Sequence, residues 1–332
     1  MLSTRTIHEL RDQIHAMKVI FHTFDLNFRG TAVAVYDYAK YNQTILGNKS
    51  VILYKSSNNY EKDVSTEKES LEFFRKKFEV RTYINDSEID ALVSDCDVCY
   101  FIKYGFNDSY LPKNVKSAIH AVFQAKDPHG DRYAYISEWL SKQMGGDVPF
   151  VPHIVDMPSP NDHYRDRLNI SKDSIVIGRY GGYYTFDLAF AKQQVIELLE
   201  EDDRFTFLFV NTQPFIKHER VKYVDSIVDR QKKSNFINTC DAMLHARVRG
   251  ESFGLSVCEF LFHNKPVFAW NEGIDKNHIY LLKDMDCLYD QHNLKDKLKN
   301  IEVFKQKDWS SLVTQFQPQI VMNKFKEVFL DE

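Results

Sequence analysis

Short runs of β-branched and aromatic residues alternate with amphipathic stretches along most of the chain, and this alternation constrains the fold more than any other feature. Such runs read as buried strands, and each amphipathic stretch is long enough to carry the chain back for a parallel pairing. In the first half the strand candidates are KVIFHTF, SVILYK, EVRTYI, DVCYFIKYG and SAIHAVFQ. Helical patterns between and after them cover Ala32 to Asn42, EKESLEFFRKKF, SEIDALVSD and DRYAYISEWLSKQM. Four of the nine prolines then crowd between Pro149 and Pro160, which suits a stiff connection because proline lacks an N–H and fixes φ. Beyond it the alternation restarts with SIVIGRY, a helix from Leu188 to Leu199, RFTFLFVN, RVKYV, a helix around Arg230 to Asn238, DAMLHA, a helix after Ser252, and PVFAW. The pattern predicts two successive α/β sheets joined near residues 150–165. A helical stretch from Ser310 to Leu330 follows, and pattern alone does not fix its place.

Composition narrows the function classes. A chain of 332 residues has room for about two domains, and its 25 Phe and 18 Tyr supply a large core. The balance of 43 basic against 47 acidic residues gives −4, which excludes a globally basic nucleic-acid binder. Five scattered cysteines read as reduced thiols rather than a disulfide scaffold. No apolar run approaches the roughly 20 residues that span a bilayer, and MLSTRTIHELRDQIHAM lacks the apolar block of a secretory signal. The expectation is a soluble, cytoplasmic protein. The basic run Arg75-Lys76-Lys77 beside Phe73, Phe74 and Phe78 reads either as a weak membrane-surface contact or as a solvated helix face over a core-facing stripe.

The most informative segment is HARVRGESFGLSVCEFLFHNKPVFAW. Ser252 is a natural N-cap, so Glu251 falls in the loop before a helix and Glu259 about two turns inside it, on the order of 12 Å away. The free N–H groups of Phe253, Gly254 and Leu255 would then face an anion at the helix start. An ordinary capped helix with two surface glutamates fits the same spacing. Arg179 ends a predicted strand and precedes Gly181 and Gly182, a loop type that can approach a pyrophosphate. Gly30 and Thr31 follow the first strand, where a bare turn reads equally well. His120 sits within a strand and Asp225 follows one; a core histidine and a turn-stabilising aspartate are the bland readings. Asp95-Cys-Asp97, Asp284-Met-Asp286 and Cys96-x-x-Cys99 match metal or redox patterns without the partners those chemistries need, so no metal site is expected. No Walker loop, HExxH, GxSxG or GxGxxG is present.

Asp241, Glu251, Phe253, Gly254, Glu259, Pro266 and Val267 fall in register with the Glu-x7-Glu region of retaining glycosyltransferases of family four, which this chain resembles, with Ser252 replacing the usual Gly. FVPHIVDMP, through Pro152, His153, Val155 and Asp156, looks like that family's interdomain signature. SIVIGRYGGYY looks like its Gly-Arg strand end and YISEWL like one of its helix starts.

The resemblance implies the α/β GT-B architecture, two Rossmann-like domains facing across a cleft. It divides the chain into an acceptor-side domain over residues 1–157, a nucleotide-sugar domain over 168–310, and a C-terminal helix over 311–332 crossing back to the first domain. By resemblance the co-substrate is a GDP- or UDP-sugar, no cofactor is required, and the partner is a glycan or other hydroxyl acceptor. Glu251 would contact the sugar hydroxyls, Phe253, Gly254 and Leu255 the sugar or phosphates, and Glu259 the ribose. Arg179 would take the diphosphate, Gly30 would close over the phosphates, His120 would lie near the sugar, and Asp225 would face the base, with a slight lean to guanine. The chain departs from the family in lacking the Lys that follows the Arg; Tyr183, Tyr184, Thr185 and Phe186 stand there, and Lys192, Arg247 and Arg249 are unassigned substitutes. That departure leaves room for a two-domain binding protein that transfers nothing, and the architecture also serves nucleotide-sugar epimerases.

Overall fold

A computed structural model describes residues 16–24, 26, 30–56 and 64–331. The amino-terminal segment read above for a targeting signal lies, up to residue 15, outside them. The chain divides into two compact units, residues 1–154 with 318–332, and residues 155–317.

In the first unit, strands β1 (Lys18–Thr23), β2 (Lys49–Lys55), β3 (Glu79–Tyr83), β4 (Val98–Lys103), β5 (Lys116–Ala121) and β6 (Arg132–Tyr135) form one parallel sheet in the order β3-β2-β1-β4-β5-β6. The central strands are apolar because both faces are covered: every residue of β4 is buried, as are all of β1 after Lys18. The chain leaves β1 through the helix Gly30–Thr44, whose Tyr38 ring packs 5.7 Å from Tyr100 of β4.

The stretch DRYAYISEWLSKQM is not one helix. RYAY forms β6, with Tyr133 and Tyr135 donating their hydroxyls to the carbonyls of Gly105 and Ala125, both at 2.7 Å. Alternation of period two wins over helical spacing here, and the helix is confined to Glu138–Gln143, where Ser137 accepts the Leu140 N–H at 3.1 Å.

The second unit repeats the plan. Strands β7 (Ile175–Tyr180), β8 (Phe205–Val210), β9 (Val221–Val224), β10 (Ala242–His245), β12 (Val267–Trp270) and β14 (Leu288–Tyr289) make a parallel sheet in the order β14-β12-β10-β7-β8-β9. The short strands β11 (Gly250–Glu251) and β13 (Asp275–Lys276) pair beside it. The first strand of each unit therefore lies beside its fourth, β1 against β4 and β7 against β10. The winding reverses at that pair, and the carboxyl ends of the strands there open a crevice suited to ligands.

The stretch from Ser310 to Leu330 is broken in two. A 3-10 segment Ser310–Phe316 stays with the second unit, while helix Pro318–Phe325 and a π-type turn over Lys326–Leu330 belong to the first. Gln317 is extended, as a residue before proline prefers, and Pro318 opens the next helix where its missing N–H costs nothing. Phe325 then enters the first unit's aromatic core, 5.2 Å from Tyr38, 5.3 Å from Tyr100 and 6.1 Å from Phe21.

Candidate functional site

The second unit's switch point carries the candidate site. Arg179 and Tyr180 end β7, His245 ends β10, and the loop after β10 leads through Arg247 to Glu251. Gly250 makes that path: at φ +76 it brings β11 so close to β13 that a Cβ would stand 2.0 Å from the Asp275 carbonyl oxygen. This pairing delivers the Glu251 N–H to His278 Nδ1 at 3.3 Å, while His278 Nε2 lies 3.0 Å from the Trp270 carbonyl. With Nδ1 accepting, His278 is neutral and donates through Nε2. Burial, reinforced by His245, lowers its pKa to about 3, in keeping with that state.

Both oxygens of Glu251 are engaged. Oε1 lies 3.0 Å from His245 Nε2, and Oε2 lies 3.1 Å from the Arg247 guanidinium. Burial pushes the carboxyl pKa up, but the hydrogen bond and electrostatic pull of His245, followed by Arg247, outweigh it and bring the group down to about 2. A largely covered carboxylate is thereby kept charged. The His245 ring lies 4.9 Å from that of His278, tilted by 39°, and its backbone carbonyl accepts the Tyr289 hydroxyl at 2.7 Å.

The helix after this loop begins later than Ser252 would have it. Gly254 takes φ +88, which no interior residue of a right-handed helix can adopt, and the helix runs over Leu255–Phe262. Gly254 also admits Glu251: a Cβ there would come within 3.2 Å of the Glu251 Cβ. The carboxylate-bearing turn is therefore folded against the start of the helix, whose first-turn N–H groups have no carbonyl within the helix. The Phe253 side chain is buried, with its ring 5.1 Å from Phe316, and its carbonyl accepts the Asn277 side-chain amide at 2.7 Å. Glu259 lies buried inside the helix, 3.4 Å from Lys233 Nζ, which also stands 4.9 Å from the Tyr180 ring.

Arg179 is buried and spends four hydrogen bonds on its own protein: to the Asn211 carbonyl (3.2 Å), Thr212 hydroxyl (2.6 Å), Gly182 carbonyl (2.9 Å) and Thr185 hydroxyl (2.6 Å). The guanidinium thus holds the Gly181–Thr185 loop and the turn after β8, and is not a free two-pronged clamp. Burial lowers its pKa to about 10, with Glu251 opposing and Arg247 adding to the shift.

The remaining candidates fall elsewhere. Asp225 is exposed after the edge strand β9, which stands two strands from β7, about 10 Å across the sheet. Gly30 and His120 belong to the first unit. His120 is fully buried with both ring nitrogens engaged, Nδ1 2.6 Å from the Tyr100 hydroxyl and Nε2 2.8 Å from the Val151 carbonyl, and burial, then His153, lowers its pKa to about 3. Asp95 is held by Lys18 and Arg81, and Asp97 accepts the Lys18 N–H at 2.7 Å, so both serve the start of β1. All five cysteines are buried free thiols. Among the described residues no group of three His, Cys, Asp or Glu side chains is placed to hold a metal, and no helix is long and apolar enough to cross a membrane.

His245, His278 and Lys233 were not singled out from the sequence. The density of basic residues in HARVRGE pointed toward His245, six residues before Glu251. Nothing local marked His278 or Lys233, because each reaches its glutamate through a tertiary pairing.

No protein-family model matches the chain, and no curated protein matches it in sequence. Solved structures do match in fold. TarM is 10% identical, with 96% of this chain and 100% of that one covered at a TM-score of 0.68. The pneumococcal O-GlcNAc transferase GtfA, in complex with UDP and GlcNAc, is 9% identical over 96% of this chain and 100% of that one, at 0.64. AviGT4, a glycosyltransferase involved in avilamycin A biosynthesis, is 12% identical over 94% and 97%, at 0.61. Together with the two parallel sheets, this likeness shows a GT-B fold of two Rossmann-like domains.

Proposed function

We propose that the chain is a glycosyltransferase that moves a sugar from a UDP- or GDP-sugar to an acceptor hydroxyl with retained anomeric configuration and without a metal. The observation that carries this reading is Glu251. Its carboxylate is kept ionised by His245 and Arg247, and it is folded against the start of the helix Leu255–Phe262 at the crevice end of the second sheet. A charged carboxylate suits sugar hydroxyls, and the adjoining helix N–H groups and Arg179 suit the charge that grows on a departing diphosphate. Glu259, deeper in the same helix, is the ribose acceptor in this reading, and the exposed Asp225 faces the base. Neither glutamate need form a covalent bond to the sugar, since retention by same-face attack is assisted by the leaving phosphate. GtfA, similar in fold, was solved with UDP and GlcNAc, which supports a UDP-sugar as the first donor to try.

One observation favours a second reading: Arg179 is already satisfied by the protein's own loops, as in a binder that clasps a nucleotide sugar without breaking it. Incubation with panels of UDP- and GDP-sugars and candidate acceptors separates the two. Release of nucleotide with formation of a product that keeps the donor's anomeric configuration supports transfer. Binding without release supports the second reading, and failure to bind any nucleotide overturns both.

A further inference from the structure

We propose that Arg247 is the second cation that grips the donor diphosphate, and that it leaves Glu251 to do so. The inference rests on the glycosyl-transfer reading above and fills the place of the Lys that this chain lacks.

Geometry separates the candidates. Lys192 stands over the Phe215 ring, 5.7 Å from its centre, with no bond to Glu251. Arg249 is tied through Nε to the buried Asp275 carboxylate at 2.7 Å, beside the β11–β13 pairing. Lys233 is packed between Glu259 and the Tyr180 ring. Arg179 is spent on its loops. Arg247, by contrast, keeps about a quarter of its side chain exposed, and among the described residues it makes one side-chain hydrogen bond, to Glu251 at 3.1 Å. Most of its guanidinium N–H groups remain available, in the planar arrangement that matches phosphate oxygens.

Its loop is held by Asp187, and its side chain by the bond to Glu251. The Asp187 N–H donates to the Ala246 carbonyl at 3.1 Å, and the Asp187 carboxylate accepts the Val248 N–H at 2.7 Å. Asp187 lies two residues beyond Thr185 of the Arg179-held loop, so the two arginine-bearing segments are laced together at the carboxyl ends of β7 and β10. A diphosphate reaching this point meets Arg247 as the side chain with one bond to give up. Transfer of Arg247 to the phosphates leaves Glu251 Oε1 on His245 and frees Oε2 for a sugar hydroxyl. The carboxylate is then offered to the sugar only when a diphosphate is in place.

Titration calorimetry on the full chain tests this, with UDP, GDP, UMP and GMP as probes of the wild type, Arg247→Ala, Arg247→Gln, Arg247→Lys and Lys192→Ala. Loss of a charge-assisted phosphate contact predicts that Arg247→Ala and Arg247→Gln weaken the favoured diphosphate roughly 10- to 100-fold. Monophosphate affinity should stay within about twofold, Arg247→Lys should recover part of the loss, and Lys192→Ala should change neither. If Arg247→Ala does not fold, the Gln and Lys variants carry the comparison. Equal loss for mono- and diphosphates marks a structural role and overturns the inference. So does a wild-type diphosphate affinity in Arg247→Gln, and in that case the transferase reading stands. A wild type that binds none of the four nucleotides overturns that reading along with this inference.

Discussion

Glu251 is held charged by its partners although burial works against the charge, and this has a thermodynamic consequence. Its pKa falls from an ordinary 4.5 to about 2 in the folded chain, so the folded carboxylate stays ionised below the pH at which the unfolded one takes a proton. The stabilisation is fully present above about pH 4.5 and disappears as the pH falls toward 2, a contribution on the order of 3 kcal/mol. Glu251→Gln should flatten acid unfolding across that window, as followed by circular dichroism at a series of pH values. An unchanged profile would mean that another group carries the acid sensitivity. The two glutamates should also separate by function: Glu251→Ala should lower turnover at least tenfold with nucleotide affinity nearly unchanged, while Glu259→Ala should weaken nucleotide binding more than turnover. Donor-hydrolysis rates and calorimetry read the two effects. The spacing of the glutamates was legible in the sequence because it is local. The partners His278 and Lys233 were not: His278 meets the Glu251 N–H only through the close approach at Gly250, and Lys233 reaches Glu259 from another helix.

At the scale of the element, the turn between β11 and the helix Leu255–Phe262 decides whether Glu251 is positioned at all. The sequence offered Ser252 as a cap, a choice based on side-chain chemistry; the structure uses Gly254, a choice made by backbone geometry at φ +88. Gly254→Ala forces a side chain into the left-handed region, at a cost of about 1–2 kcal/mol, and sets a Cβ 3.2 Å from that of Glu251. The expected outcome is a modest drop in the thermal midpoint with a fall in turnover of more than tenfold, because the displaced group is the carboxylate. A variant as active as the wild type would detach Glu251 from the chemistry. The same contest between side-chain pattern and backbone geometry explains RYAY. Its tyrosines satisfied a helical reading, but their hydroxyls anchor to loop carbonyls that only the folded unit supplies.

On the scale of the whole molecule, both units place their first strand beside their fourth, an order that the Rossmann-like resemblance implied and that periodicity alone did not give. Periodicity marks where strands are; which strands are neighbours follows from the hand and side of each crossover, and no local pattern encodes that. Pattern alone marked the C-terminal segment only as a helix; its return to the first domain was implied by the resemblance, and the return begins at Pro318. What places it in the first unit is the ring of Phe325, packed among Phe21, Tyr38 and Tyr100 on elements separated from it by most of the chain. Phe329 extends the cluster, 5.5 Å from Tyr100 and 5.2 Å from His120. Truncating a fully buried phenylalanine to alanine costs about 3–5 kcal/mol when its surroundings cannot collapse, and rings held on strands and a helix have little room to do so. Phe325→Ala should therefore lower amide-exchange protection across β1 and β4 by a factor of a hundred or more, since each 1.4 kcal/mol is tenfold. Protection across β7 and β10 should remain, because none of the rings that Phe325 touches belongs to the second unit. Equal loss in both sheets would show that the units open together, and the C-terminal segment would then be a clasp for the whole chain instead of a member of one core.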